Sequence, residues 1–293
     1  MGKTSCWIEA IRLRTLPVSV AGVLAAIGYA LMGDCFQPLP AVLCLVFAVL
    51  AQVASNFANE YYDFKAGLDR PGREGPRRGV TEGDISPRAM LVATFVTLGL
   101  ACAVGCALIY WGGWWLVPVG ITIAVGVLAY STGPYPLSHH GLGEVAVIFF
   151  FGIIPVNMTF YLMAGAFDLS VFLGSLAIGL MGANVLLVNN YRDLEDDAAV
   201  GKRTLAVIAG RRVASSLYLV NGIAAVVLMC GAWLALGTVW LLIPVCYAVA
   251  HVAVWLAVVS RCGIALNPLL GATAMLMLIY AAAFLVAASM SGV

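Results

Sequence analysis

Charged side chains are scarce in this sequence of 293 residues. Only 10% of its residues are Asp, Glu, Lys or Arg and 63% are hydrophobic, whereas a soluble globular domain is about 25% charged. A mean hydropathy of +1.02 indicates a chain whose outer surface, as well as its core, is apolar. The net charge is only +1, so the sequence carries no general electrostatic attraction to nucleic acid, and we expect no nucleic-acid partner.

Cysteine patterns of metal or redox sites are also lacking. The eight cysteines lie mostly in apolar runs, and no two of them have C-x-x-C spacing. Cys102 and Cys106 are four residues apart, so on a helix they share one face, which indicates packing against lipid or another helix. We predict no disulfide bonds. The first apolar run is not followed by a secretory cleavage site, and we expect it to be a permanent span.

Long apolar runs occupy most of the remaining sequence. A helix needs about 20 apolar residues to cross the hydrocarbon of a bilayer, whereas the short alternating strands typical of a membrane barrel are not seen. We therefore predict an all-α integral membrane protein with one domain over residues 1–293. Its nine predicted spans lie near residues 16–33, 39–59, 89–110, 114–131, 143–164, 170–190, 213–234, 239–259 and 267–290.

The positions of the charges predict an orientation. All fifteen Lys and Arg residues fall on the N-terminal side of the predicted membrane, and only Asp34 and Asp168 among the acidic residues fall on the other side. Because positive residues are retained in the cytoplasm, we expect a cytoplasmic N-terminus, an outward C-terminus and location in the inner (cytoplasmic) membrane. Two long cytoplasmic loops, near 60–88 and 191–212, hold most of the charge and predict where the chemistry lies.

Two acidic segments share a pattern. Asn-x-Tyr-x-Asp occurs at residues 59–63 and again at 189–193, an offset of 130 residues. The offset corresponds to four predicted spans, so we predict two four-helix pseudo-repeats around a central cavity, followed by a ninth helix. In membrane proteins such repeats often place a binding site between their halves.

The residue types in these segments favour a metal and a phosphate. On a helix, Asn59 and Asp63 share a face, and the pattern Asn189, Asp193 and Asp197 does the same. Carboxylates brought together across a cavity need a counter-ion, and Mg²⁺ prefers carboxylates combined with substrate phosphates. Basic pairs follow both segments at 77–78 and 202–203, where they are suited to bind a diphosphate and stabilise a leaving group.

Together these segments resemble the UbiA superfamily of intramembrane prenyltransferases over nearly the whole chain. The match is closer to the branch that acts on 1,4-dihydroxy-2-naphthoate. Two departures from the superfamily pattern are Glu60, where Asp is common, and the six-residue spacing from Asp63 to Asp69, which is similar to that branch. The matching stretches are Arg14–Pro17, Asn59–Asp63 with Lys65–Asp69, Gly75–Arg77, Gly133–Leu137 with Gly141–Glu144, and Asn189–Asp193 with Gly201–Thr204.

The resemblance implies a UbiA-like fold and a reaction. A polyprenyl diphosphate would ionise on Mg²⁺, and the allylic cation would alkylate the acceptor carbon that bears the carboxylate, releasing CO₂ and pyrophosphate and giving demethylmenaquinone. Tyrosines such as Tyr61, Tyr62, Tyr130 and Tyr191 could shield the cation. The expected metal ligands are Asp63, Asp69, Asp193 and Asp197; the expected catalytic residues are Asp63, Asp193, Lys202 and Tyr130; and the expected diphosphate-binding residues are Asn59, Lys65, Arg77, Asn189, Arg192, Lys202 and Arg203.

Other interpretations remain open. Another aromatic acceptor, such as 4-hydroxybenzoate, homogentisate or a chlorophyllide, would fit the same family. A secondary transporter also has repeats and intramembrane acids, but it usually places them near mid-membrane. A structural subunit leaves the repeated motif unexplained. We interpret His139 and His140 as loop residues, although their role is open, and Glu144 as a residue that stabilises a helix N-terminus.

Overall fold

The computed structural model describes residues 3–69, 75 and 77–291. All regular secondary structure in these residues is helical. The α-helices are α1 (Lys3–Ile11), α2 (Leu16–Met32), α3 (Pro38–Lys65), α4 (Pro87–Gly112), α5 (Leu116–Ala129), α6 (Gly143–Val147), α7 (Ile154–Ala164), α8 (Leu169–Arg192), α9 (Leu194–Ala199), α10 (Leu205–Leu236), α11 (Leu242–Val259) and α12 (Asn267–Met290).

Several of these helices are long and apolar enough to cross a membrane, which makes the chain an integral membrane protein. Within the described residues seven segments meet this test, and α1 with α2, bent by 51°, forms an eighth if the pair is one span. The apolar helix α5 has only 14 residues and does not meet it. The all-helical prediction is confirmed, whereas the count of nine spans stays a prediction.

Helix α8 lies at the centre of the bundle. It packs against α2, α7, α10 and α12, and 72% of its apolar stretch is buried, compared with 17% for α4. Glycine allows one of these contacts to be very close, because a Cβ atom on Gly152 would lie 2.4 Å from the Ser175 carbonyl oxygen. Because α8 is central, the second acidic segment at its C-terminal end lies among other helices at that end of the bundle.

The segment between α6 and α7 is wound more loosely than an α-helix. Residues Ile148–Ile153 form a π-helical turn immediately before Pro155. Proline has no amide hydrogen to donate to the carbonyl four residues earlier, and its ring crowds that carbonyl, so a wider turn relieves the conflict.

The helix pairing is similar in the two predicted halves. The most extensive pairings in the bundle are α8 with α10 and α3 with α4. These are the second and third predicted spans of each half, which is the arrangement that a four-helix repeat would give. The pseudo-repeat itself stays a prediction.

Candidate active site

A cavity of about 520 Å³ lies at the end of the bundle that holds both acidic segments, which we call the inner end. Asn59 of α3 and Asn189 of α8 both line it, so the two copies of the repeated motif share one cavity although they are 130 residues apart. Its lining is more basic than acidic. The charged residues in the lining are Arg12, Arg14, Arg77, Arg78, Arg192 and Lys202, with Glu9 and Glu144.

The first acidic segment presents Asn59 and Asp63 from one face of α3, as their spacing predicts. Asn59 Nδ2 donates to Asp63 Oδ2 (3.0 Å). Asn59 Oδ1 accepts from Arg12 Nη2 (2.7 Å). Asp63 is buried, and its Oδ1 lies 3.3 Å from His139 Nε2. Helix α3 therefore delivers a carboxylate that two other parts of the chain contact.

A tight turn after α3 accounts for the six-residue spacing to Asp69. The amide of Leu68 donates to the Asp63 carbonyl and the amide of Gly67 donates to the Phe64 carbonyl, which is the pattern of a Schellman motif. Gly67 has φ +71°, a conformation that glycine adopts without a Cβ clash.

The reversed chain buries Asp69 near the first carboxylate. Arg78 Nε lies 3.3 Å from Asp69 Oδ2. Arg78 Nη2 also donates to Asn59 Oδ1 (3.5 Å). Asp69 is therefore part of the same polar cluster although it is not on the helix face of Asp63.

The second acidic segment differs from the continuous helix that its spacing suggested. Asp193 ends α8 and precedes the short helix α9, so Asn189 and Asp197 lie on separate helices. The Arg192 guanidinium stabilises this break between α8 and α9. It donates to Asp193 Oδ1 (2.6 Å) and Oδ2 (2.8 Å), to Asn189 Oδ1 (2.8 Å) and to Asn267 Oδ1 (2.8 Å).

The end of α9 repeats the turn that ends α3. The amide of Lys202 donates to the Asp197 carbonyl and the amide of Gly201 donates to the Ala198 carbonyl, with Gly201 at φ +77°. In local geometry Asp197 therefore corresponds to Asp63. The turn brings Lys202 Nζ to 3.8 Å from oxygens of both Asp63 and Asp197.

The four predicted metal ligands are buried behind the cavity wall rather than in its lining. Each contacts a basic residue that does line the cavity: Lys202 for Asp63 and Asp197, Arg192 for Asp193, and Arg78 for Asp69. Within the described part of the chain no three His, Cys, Asp or Glu side chains converge as a metal-ligand group. Lys202 nevertheless brings one carboxylate from each acidic segment, Asp63 and Asp197, to within 3.8 Å of the same ammonium group.

Three of the predicted diphosphate-binding residues lie outside this cluster. Lys65 and Arg203 are exposed and do not line the cavity. Arg77 lies at its edge, where it pairs with Asp84 and with Glu9 (3.7 Å). The neighbouring Arg78 is the buried residue of this pair. Pro76 of the same predicted stretch, and Arg70 and Arg73 of the predicted loop, lie outside the described residues.

A second, apolar cavity of about 310 Å³ adjoins the first. Tyr130 and Phe151 line both cavities. On its other side the apolar cavity reaches the surface between α4 and α5, where Cys102 and Ile121 are exposed as well as lining it. Cys102 thus lies on an outward apolar face, as its sequence context indicates.

Of the four tyrosines considered as shields for a cation, only Tyr130 lines a cavity described here. Tyr61 and Tyr62 pack against each other, with ring centroids 4.9 Å apart. Tyr191 is buried, and the Arg211 guanidinium lies 4.8 Å from its ring centroid. The structure places Tyr61, Tyr62 and Tyr191 outside the lining of both cavities, and their role as shields stays a prediction.

Two further glutamates of the acidic segments point away from the cavity. Glu60 is buried, and its Oε1 accepts from the amide of Val80 (3.1 Å), so it fixes the loop after α3. Glu195 is exposed on α9, and hydrogen bonds from Arg211 lower the pKa of its carboxyl. Neither carboxylate is placed to contact a ligand in the cavity.

Three residues at the site were not predicted from the sequence. Arg12 adopts φ +57° in the turn between α1 and α2, which aims it at Asn59. His139 contacts Asp63, whereas His140 stacks on Tyr135 with ring centroids 3.7 Å apart. Apart from the nearby Arg14–Pro17 stretch, no sequence feature predicted the contact of Arg12 with Asn59, because arginine seldom adopts a left-handed backbone conformation.

Glu144 is the third, and its interpretation as a residue at a helix N-terminus was incomplete. It does lie in the first turn of α6. Its side chain, however, is buried and lines the polar cavity, and its Oε1 accepts from Asn190 Nδ2 (2.8 Å).

Known proteins resemble most of this chain. The model of the UbiA prenyltransferase family matches residues 19–280. A Haemophilus influenzae protein named 1,4-dihydroxy-2-naphthoate octaprenyltransferase is 37% identical over 221 residues, which cover 71% of this chain and 70% of that protein. A Mycobacterium leprae protein of the same name is 36% identical over 244 residues, with 82% and 83% covered.

Solved structures show the same fold. A UbiA homologue from Archaeoglobus fulgidus bound to GPP and Mg²⁺ superposes with a TM-score of 0.68 over 96% of this chain and 99% of its own, at 16% identity. A UbiA homologue from Aeropyrum pernix superposes with a TM-score of 0.68 over 89% of this chain and 94% of its own, at 19% identity.

Proposed function

The chain belongs to the UbiA prenyltransferase family, and on that premise we propose that it transfers a polyprenyl group from a polyprenyl diphosphate to 1,4-dihydroxy-2-naphthoate. CO₂ and pyrophosphate leave, and the reduced (quinol) form of demethylmenaquinone results, which serves menaquinone biosynthesis. The relatives named for this reaction support the acceptor. The observation that carries the site is the position of Lys202 between Asp63 and Asp197, beside a cavity lined by both acidic segments.

The inner cavity suits the diphosphate of the donor. Its lining is rich in Arg and Lys, and the flexible ammonium of Lys202 and the guanidinium of Arg192 are both within it. These groups bind diphosphate oxygens and stabilise the charge that grows on the leaving group as the carbon–oxygen bond breaks.

We propose Mg²⁺ as the cofactor, held by Asp63, Asp69, Asp193 and Asp197 together with diphosphate oxygens. When bound, it supplies Lewis-acid neutralisation of the leaving diphosphate. The Mg²⁺ and GPP bound by the Archaeoglobus fulgidus homologue support this choice. In this chain Lys202, Arg192 and Arg78 hold the four carboxylates in place, so the contacts are built before substrate arrives.

The apolar cavity suits the polyprenyl tail. It begins at Tyr130 and Phe151, next to the polar cavity, and opens on the apolar surface between α4 and α5. A tail in this cavity places its allylic carbon at the aromatic junction, where ring faces stabilise a carbocation. The tail can then extend into lipid, so the enzyme need not enclose its full length.

We further propose that the chain is one catalytic domain of nine spans, with the active site and N-terminus in the cytoplasm. The support for a crossing by α5 comes from its two ends. Trp115, just before α5, donates to Tyr161 Oη (3.1 Å) near the end of α7, whereas Ser131, just after α5, accepts from Asn59 (3.1 Å) at the inner end. Residues 114–131 would extend about 27 Å as a helix, close to the roughly 30 Å of a bilayer core.

The test is prenyl transfer by purified protein in lipid, with Mg²⁺, farnesyl diphosphate as donor, and either 1,4-dihydroxy-2-naphthoate or 4-hydroxybenzoate as acceptor. We expect transfer to the naphthoate and none above background to the benzoate. Asp63→Asn and Asp193→Asn should each lose at least about 100-fold in turnover, because each removes a carboxylate that would hold the Mg²⁺ needed to neutralise the leaving diphosphate.

Asp196→Asn provides a matched control, since Asp196 is an exposed aspartate in the same short helix as Asp197. It should retain nearly normal turnover. Preference for 4-hydroxybenzoate would contradict the assigned acceptor, and normal turnover in Asp63→Asn or Asp193→Asn would contradict the assigned site.

A further inference from the structure

Glu144 is a buried carboxylate that the donor chemistry leaves unused. Its exposure is 6% of the maximum, and the residue lines the inner cavity together with Lys202 and Asn189. One oxygen, Oε1, accepts from Asn190. The other, Oε2, is buried and has no hydrogen-bond partner among the described residues. Since an unsatisfied buried charge is costly, this oxygen calls for a donor from a ligand.

The surroundings of Glu144 fit a flat aromatic ligand. Gly143, the preceding residue, also lines the cavity, and a Cβ atom there would lie 3.6 Å from the Tyr130 hydroxyl and 3.0 Å from Leu186. Glycine at position 143 therefore keeps the part of the cavity beside Tyr130, at the junction of the two cavities, free of a side chain that would crowd Leu186. A ring in this space would be next to the end of the apolar cavity.

The other carboxylates near the cavity are already engaged. Asp63 and Asp197 contact Lys202, and Asp193 receives two hydrogen bonds from Arg192. Glu9 also lines the cavity, but it lies at the edge beside Arg77. Among the described residues, Glu144 thus combines a place in the lining with an oxygen that has no partner.

We propose that Glu144 binds the aromatic acceptor and exchanges a proton with it, an inference that rests on the proposed function. The Oε2 atom accepts a hydrogen bond from the acceptor hydroxyl on the carbon next to the carboxylate-bearing carbon, which is the 1-hydroxyl of 1,4-dihydroxy-2-naphthoate. Asn190 fixes the carboxylate through Oε1 and leaves Oε2 directed at the ligand.

The reaction balances if one proton moves from the acceptor hydroxyl to Glu144 and later returns to the same oxygen. As the allylic carbon bonds to the carboxylate-bearing ring carbon, the hydroxyl proton passes to Glu144 and the ring oxygen becomes a ketone. The carboxylate is then β to that ketone, so its carbon–carbon bond breaks, CO₂ leaves, and the electron pair passes to the ring as an enolate. Glu144 returns the proton to this oxygen, and the product is the reduced, quinol form of demethylmenaquinone.

The test compares Glu144→Gln with wild type on two acceptors, 1,4-dihydroxy-2-naphthoate and its 1-O-methyl ether. Gln keeps the size of the side chain and the oxygen that accepts from Asn190 but cannot take a proton. We expect turnover on the natural acceptor to fall about 100- to 1,000-fold, as for loss of a general base, with the KM for farnesyl diphosphate unchanged.

The methyl ether separates this role from a structural one. The methyl ether lacks the hydroxyl proton, so the turnover of wild type should be about 100- to 1,000-fold lower on it than on the natural acceptor. The turnover of Glu144→Gln on the ether should be little lower than that of wild type on the ether, because both changes remove the same interaction. If the loss of turnover caused by Glu144→Gln and the loss caused by the methyl group multiply in the combination, Glu144 does not act on that hydroxyl. Glu82→Gln, at an exposed loop position away from the cavity, is the control and should match wild type on both acceptors.

The outcomes also separate this inference from the proposed function. If wild type does not prenylate the naphthoate, the proposed function fails. If wild type does so and Glu144→Gln turns over within about threefold of it, the role of Glu144 is overturned while the function stands. If the Gln variant does not fold, wild type on the methyl ether still tests the role, since turnover within about threefold of that on the natural acceptor would overturn it.

Discussion

Lys202 is the residue at which the two acidic segments meet. Its ammonium lies 3.8 Å from Asp63 and from Asp197, which are 134 residues apart in the sequence. The side chains on all three are mostly buried, so their charges are screened less than at a surface. A cation in this position orients both carboxylates and is available to the diphosphate.

The structure predicts different effects for two adjacent basic residues. Lys202→Gln should reduce kcat/KM for the polyprenyl diphosphate by about 100-fold, because it removes a charge that stabilises the leaving group. Arg203→Gln should change it by less than about threefold, since Arg203 is exposed and outside the cavity lining. Steady-state prenyl transfer measured with both variants checks this. Equal losses would show that the exposed arginine also binds the donor.

Glycine affects the arrangement of the helices in two ways, at helix ends and at a close contact between helices. Gly67 and Gly201 end α3 and α9 with the same left-handed turn; the first is followed by Asp69, which pairs with Arg78, and the second by Lys202, which lines the cavity. Gly152 instead allows the π-helical turn to approach α8, where an added Cβ would be 2.5 Å from Gly179 Cα. The central helix therefore keeps its position through small residues.

A stability measurement tests this close helix contact. Gly152→Ala should lower the thermal unfolding midpoint in detergent, because overpacking a tight contact costs about 1–3 kcal/mol. Gly99→Ala is the matched control, as Gly99 lies inside α4 with nothing within 4 Å of an added Cβ. It should leave the midpoint unchanged or slightly raised. A larger loss in Gly99→Ala than in Gly152→Ala would contradict the packing described here.

At the scale of the whole molecule, polar and apolar functions occupy adjoining cavities. The polar cavity and its charged residues lie at the inner end, and the apolar cavity runs from Tyr130 to the surface between α4 and α5. A donor with an ionic head and a long hydrocarbon tail matches this division. The number of crossings depends on α5 and on whether the bent pair α1 and α2 forms one span.

Cysteine labelling in cells tests the crossing by α5. In a protein with Cys35 and Cys262 replaced by Ala, Trp114→Cys should react with a membrane-impermeant maleimide in intact cells. Tyr135→Cys should react only after permeabilisation. Both positions are exposed, at 80% and 56%, and they lie on either side of α5. Labelling of both from the same side would contradict nine spans and the proposed orientation.

The fold class could be predicted from the sequence alone, together with one feature of the candidate site. Apolar runs predicted an all-helical membrane protein, and the repeated Asn-x-Tyr-x-Asp pattern predicted that its two copies meet, as Asn59 and Asn189 do in the lining of one cavity. These features were predictable because hydrophobic length and i, i+4 spacing act within a single helix.

The tertiary structure was needed to show which of the charged residues that are adjacent in the sequence face the cavity. Lys202 rather than Arg203, Arg78 rather than Arg77, and the inward direction of Glu144 all depend on helix ends, left-handed turns and contacts between distant segments. A charge in a loop has the same sequence signature whether it points to water or to a cavity. The packing of α3, α8 and α9 around a common space is what distinguishes the two, because burial forces each polar group to find a partner.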